Sequence, residues 1–140
     1  MDFSSINWLA VVICVVFSMV SGFIWYNPKL FFPAWWAGIG KTGDGSMEAA
    51  GASTWILTIV AGFVQAIFMS LMVNAMGSMT GGVTLASGAT AGFMLWLGFV
   101  APTNLVNKLF AGHGLKVWAI EAGNHLVNFV AFGAIVGAMA

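Results

Sequence analysis

The sequence contains no arginine, and its charge amounts to four lysines and four acids in 140 residues. Soluble domains are typically about 25% charged, whereas this chain is 6% charged. Without a concentrated basic surface, nucleic-acid binding is excluded as a function class. A single cysteine, Cys14, cannot form an intrachain disulfide, and its apolar surroundings make it a small packing residue. Enzyme signatures are missing too. There is no Gly-x-Ser-x-Gly elbow, phosphate-cradling loop, cluster of metal ligands or pair of carboxylates, so neither an activity nor a cofactor is implied.

What remains is apolar: 61% of residues are hydrophobic and the mean hydropathy is +0.99. Four stretches reach the roughly 20 apolar residues that a bilayer crossing needs, at 6–26, 55–75, 84–103 and 117–139. The first has Asp2 rather than lysine ahead of it and an apolar run too long for a signal peptide, so it is expected to be retained as a helix. The connections leave no room for a further domain. The predicted fold is therefore all-α, a single four-helix integral membrane domain over 1–140, with the lipid bilayer as its first partner.

The lysines set an orientation. Lys29 and Lys41 fall in the first loop, Lys108 and Lys116 in the third, and the second loop carries no charge. The positive-inside bias then places loops one and three in the cytoplasm and both termini outside. Trp25, Trp35, Trp36, Trp55 and Trp118 gather at the span ends facing those loops and are expected to anchor the interface. The first loop's "NPKLFFPAWWAGIG" is too apolar for a solvated loop, and a short interfacial helix is expected there. A re-entrant plug is the other reading of this segment. Ser46 is a candidate cap for the second span.

Helix contacts are signalled by Gly88-x-x-x-Gly92 in the third span and Gly133-x-x-x-Gly137 in the fourth, with Ser18 and Gly22 spaced alike in the first. Small residues at this spacing let backbones approach closely, within a chain or between subunits. Asn27-Pro28-Lys29-Leu30-Phe31 is echoed weakly by Asn107-Lys108-Leu109-Phe110.

The stretch "VWAIEAGNHLVNF" opens the fourth span with Glu121, Asn124, His125 and Asn128. At 100° per residue these four lie within a stripe about 100° wide, which must face the bundle interior or water. Thr103, Asn104 and Asn107 at the end of the third span, with Tyr26 and Asn27 at the end of the first, lie at the same level. Gln65 sits deeper. One polar pocket around Glu121 and open to the cytoplasm is therefore predicted. The residues support two readings, a structural hydrogen-bonded register and a site that moves protons or binds a polar solute. A metal at this pocket lacks the ligands. His113, between glycines in the third loop, is expected to meet water. Met69, Met72, Met76 and Met79 share one face of the second span. Thioethers select Cu(I), but adaptable apolar packing is the stronger reading.

"IWYNPKLF…W", "GFVAPTNLVNKLF" and "LKVWAIEAGNHLVNFVAFGAIVG" together resemble the bacterial membrane family catalogued as domain of unknown function 1761. The resemblance implies a small four-span protein and picks out Asn107, Leu109, Phe110, Trp118, Ile120 and Glu121. It implies no activity. Because 140 residues can hardly enclose a path alone, a homo-oligomer is expected. The leading functional reading is a channel- or transporter-like protein for protons or a small polar solute. The alternative is an accessory or scaffold subunit of a larger membrane complex.

Overall fold

The computed structural model describes residues 2–140, and among them every regular element is helical. Helix α1 spans Trp8–Trp25. Its first turn is capped by Asn7, whose Oδ1 accepts from the amides of Leu9 and Ala10. The same side chain donates to the Met139 carbonyl at 3.0 Å, pinning the start of α1 to the end of the chain. Pro28 disfavours the helical conformation at Asn27, and the chain turns there. A short helix, α2, covers Phe32–Gly38 with Pro33 in its first turn, where the missing N–H has no helical partner to lose.

Helix α3 runs over Ala52–Thr80, eight residues longer than the hydropathy pattern suggests. The polar "NAMGSMT" end lowers hydropathy but does not break a helix. The stop comes at Gly81, in the left-handed region at φ +87°. Ser46 does not cap α3. It precedes a separate 3₁₀ turn, Met47–Ala49, without a capping hydrogen bond from its side chain. The third span starts at a reciprocal Thr84–Ser87 capping box and comprises α4 (Leu85–Leu95), a π-helical turn (Trp96–Val100) and α5 (Ala101–Phe110). Pro102 stands near the end of the span that hydropathy marks at 84–103, but the helix continues beyond it to Phe110. The π turn has already shifted the hydrogen-bond register, with the Ala101 amide bonded to the Trp96 carbonyl. The proline therefore sits in a first turn, not a helix interior. Three residues, 111–113, then lead into α6, Gly114–Ala138. The echo between Asn27 and Asn107 is not structural, since the first begins a turn and the second lies in a helix.

Four helical stretches are long and apolar enough to cross a membrane: Trp8–Trp25, Ala52–Thr80, Leu85–Phe110 and Gly114–Ala138. They form a bundle in which α6 touches each of the others and also α2. The core joins Val11, Cys14 and Val15 of α1 to Ala66, Met69 and Val73 of α3, Ala91 of α4, and Phe132 and Val136 of α6. Leu9, Val16, Ile56, Leu57, Val60 and Phe68 point outward. The apolar exterior suits contact with hydrocarbon.

The closest packing is between α4 and α6. A Cβ at Gly88 would run into the Gly133 carbonyl, one at Gly92 into the Phe129 carbonyl, and one at Gly137 into the Thr84 carbonyl. Backbone meets backbone over two turns, which gives dispersion contact that lipid cannot match. Ser18-x-x-x-Gly22 behaves differently, because a Cβ at Gly22 would meet nothing within 4 Å. Gly133→Val should therefore destabilise the fold by about 1–3 kcal/mol. Gly22→Ala should leave it unchanged or stabilise it by about 0.5–1 kcal/mol. Unfolding in mixed micelles would measure both, and equal losses at the two positions would contradict the packing described.

Candidate functional site

Glu121 lies about two turns into α6 with its side chain 13% exposed. Its two oxygens are fully engaged. Oε1 accepts from the indole N–H of Trp35 on α2 at 2.9 Å. Oε2 accepts from Nδ2 of Asn104 at 3.2 Å and pairs with Lys108 Nζ at 2.9 Å, both on α5. A carboxylate held away from water requires such donors, because an unpaired one carries a penalty of several kcal/mol. The carboxylate thus ties α2 and α5 to α6 at the end of the bundle where loops one and three meet.

Tryptophans brace this node. Trp25 donates to the Ile120 carbonyl at 2.8 Å and Trp96 to the Ala122 carbonyl at 2.9 Å, on either side of Glu121 in sequence. Trp118 donates to the Ala101 carbonyl at 2.9 Å. Trp25, Trp35 and Trp118, read from the sequence as interface anchors, therefore spend their N–H groups inside the bundle. Trp36 stacks on Phe32 with ring centroids 5.3 Å apart, and Trp55 stacks on Phe23 at 5.4 Å.

The rest of the polar stripe faces elsewhere. Asn124, His125 and Asn128 line a cavity of about 260 Å³ bounded by α1, α3 and α6, whose other polar contributors include Ser18, Tyr26, Thr58 and Gln65. Asn124 donates to Ser21 Oγ at 3.1 Å, and Asn128 donates to Asn124 Oδ1 at 3.5 Å. The Asn128 acceptor, Oδ1, is buried and has no partner among the described residues. Glu121 does not line this cavity. The single pocket expected around Glu121 is in fact two features, a closed ionic node and a separate amide-lined cavity.

Three of the expected pocket residues belong to neither. Thr103 and Asn107 are exposed on α5, and Asn27 is exposed in the first turn, where its Oδ1 accepts from the Lys29 amide at 2.9 Å. Asn104 shares its inward face with Lys108, four residues on, rather than with Asn107. Lys108 and Trp35 were missed as partners of Glu121. The i,i+4 spacing of Asn104 and Lys108 was the available signal. Within the Asn-x-Leu-Phe segment, Asn107, Leu109 and Phe110 are all exposed, Phe110 by 91%, while the intervening Lys108 turns inward.

His113 is half-buried, and its Nδ1 lacks a partner among the described residues. The methionines are dispersed. Met69 is buried in the core, Met72 lines a groove between α3 and the π turn, Met76 packs on the core, and Met79 is 85% exposed. No three His, Cys, Asp or Glu side chains among the described residues come together as a metal site.

An all-α bundle with four helices able to span a membrane, a half-buried ion pair and an amide-lined cavity defines the class of protein. The chain matches, over residues 9–137, the model of the family described as protein of unknown function (DUF1761), and it belongs to that family. No curated protein and no solved structure matches it.

The node makes a direct prediction. Glu121→Ala and Lys108→Met should each destabilise the protein, the first by about 1–3 kcal/mol because it leaves Lys108, Asn104 and Trp35 without their shared acceptor. The double variant should lose less than the sum, with a coupling of about 1–3 kcal/mol. Additive losses in micellar unfolding would show that the pair does not hold the helices.

Proposed function

We propose that this family member is a channel- or transporter-like protein of the bacterial inner membrane that takes a small polar solute or protons into the cavity between α1, α3 and α6. The observation that carries this reading is the convergence of Asn124, His125 and Asn128 on a cavity of about 260 Å³. Polar and ionisable side chains are costly at membrane depth, and those not consumed by packing lean toward function. Among the described residues, His125 makes no hydrogen bond, and the amide of Gln65, midway along α3, makes none either. The lysine distribution supports placing α2 and the α5–α6 turn in the cytoplasm, with both termini outside. Gln65 is exposed in the single chain. An exposed amide at mid-helix supports assembly as a homo-oligomer, in which neighbouring copies would surround it.

A second reading, an accessory or scaffold subunit of a larger membrane complex, is favoured by one observation. The most deeply engaged ionisable group, Glu121, has every donor it needs from its own chain. Reconstitution separates the two. Proteoliposomes of the wild-type protein should pass protons or small polar solutes faster than protein-free vesicles, and His125→Phe should slow that flux while the protein elutes normally. A well-folded wild type that passes nothing, and that is recovered from its membrane only with a larger protein, would favour the accessory reading.

A further inference from the structure

The charge inventory of the cavity narrows what can occupy it. Among the described residues lining it, none is Asp, Glu, Lys or Arg. The nearest carboxylate along α6, Glu121, is neutralised by Lys108 and faces α2 and α5. Glu48 is exposed and lines an adjoining recess that shares Phe23, Tyr26 and Met47 with the cavity, outside the cavity itself. A charged solute entering here would shed water and find no permanent counter-charge, His125 being the one imidazole beside it, which is unfavourable. A neutral solute faces no such barrier.

Hydrogen bonding narrows it further. Asn128 is only 9% exposed, and its Nδ2 donates to Asn124 at 3.5 Å. Its Oδ1 accepts from nothing among the described residues and is closed to water, so a small turn of the side chain is needed to present it to the cavity the residue lines. A buried acceptor left open costs about 1–3 kcal/mol, which a ligand donor would recover. Ser18 has already donated its hydroxyl proton to the Val15 carbonyl at 2.8 Å, so its oxygen is left to accept. His125 and Gln65 each bring both a donor and an acceptor. The stacked rings of Phe23 and Trp55 form an apolar wall beside them. The space equals that of about eight or nine waters, too small for a drug-sized ligand.

We infer that the cavity binds a small uncharged solute rich in hydrogen-bond donors, of the simple amide or polyol class, with Asn128 Oδ1 as its principal acceptor. This rests on the transport reading above and decides between its two cargoes, a neutral solute and the proton. The test is stopped-flow light scattering of proteoliposomes under gradients of urea, acetamide or glycerol, run beside vesicles that report collapse of an imposed pH gradient. Wild type should admit at least one neutral probe well above the protein-free rate and leave the pH gradient intact. Asn128→Leu should cut that uptake by about fivefold to tenfold, the scale of one hydrogen bond. Gln65→Leu changes a position on α3 that is exposed in the single chain, so each copy should still fold, and with oligomer size checked to be unchanged it should also slow uptake. A collapsing pH gradient without neutral uptake would overturn the solute class while leaving transport standing. Neutral uptake untouched by both substitutions would overturn the site. No flux of any probe would overturn this inference and the transport reading together.

Discussion

A carboxylate inside an apolar bundle must be supplied with donors, and the organisation of one end of this protein follows from how Glu121 obtains them. Three side chains from two other helices converge on its oxygens: Trp35, Asn104 and Lys108. Meeting that requirement docks α2 against α6, where Gly38 approaches Val117 too closely for any larger residue. It also holds α5 in register after the π turn. The indoles of Trp25 and Trp96 reach carbonyls one residue to either side of Glu121, so the α6 backbone is fixed from both flanks. This is a polar solution to helix association in a medium where apolar contact alone discriminates poorly.

The other half of α6 uses the opposite solution. Gly133 and Gly137 remove side chains altogether, and the α4 backbone lies directly against them. Between the two halves, the face toward α1 and α3 is held less closely. Gly22 has no neighbour within contact distance of a Cβ, and two buried amides and a histidine border open space. The polar first half of α6 therefore divides by direction. Toward α2 and α5 the Glu121 carboxylate has its donors, although Asn104 Oδ1 on α5 is itself left without a partner among the described residues. Toward α1 and α3, Asn128, its Oδ1 likewise unpartnered, borders a cavity. That contrast supports assigning structure to Glu121 and solute binding to Asn128.

The fold was largely readable from composition. Four apolar runs separated by short polar stretches admit few architectures, and the structure has four membrane-length helices in a bundle. Helix ends were less readable, because hydropathy marks where side chains become polar while helices stop for backbone reasons. Thus α3 runs on to Gly81, and the third span passes Pro102 by way of the π turn. The polar stripe was visible as a stripe, but its division was not. Periodicity reports which residues share a face of one helix and says nothing of what stands opposite each. Lys108 was read only as a charge that sets orientation, although its stem is long enough to carry an ammonium back to Glu121. The tryptophans were read by their preference for interfaces, and the fold uses their N–H groups as ties between helices. Thr103, Asn107 and Asn27 lay at the right level but on the wrong side of their elements.

The two sides of α6 face different surroundings, one packed against α2, α4 and α5 and one bordering the cavity toward α1 and α3. Single cysteines introduced along α6 would test this directly in native membranes. The resident Cys14 is fully buried and stays silent. A small water-soluble methanethiosulfonate should react with cysteine at position 125 or 128 and fail to react at 132 or 136, which lie in the core. Protection of 125 and 128 as complete as that of 132 and 136 would mean the cavity is closed to polar solutes, and the division of α6 into structural and solute-binding faces would be wrong.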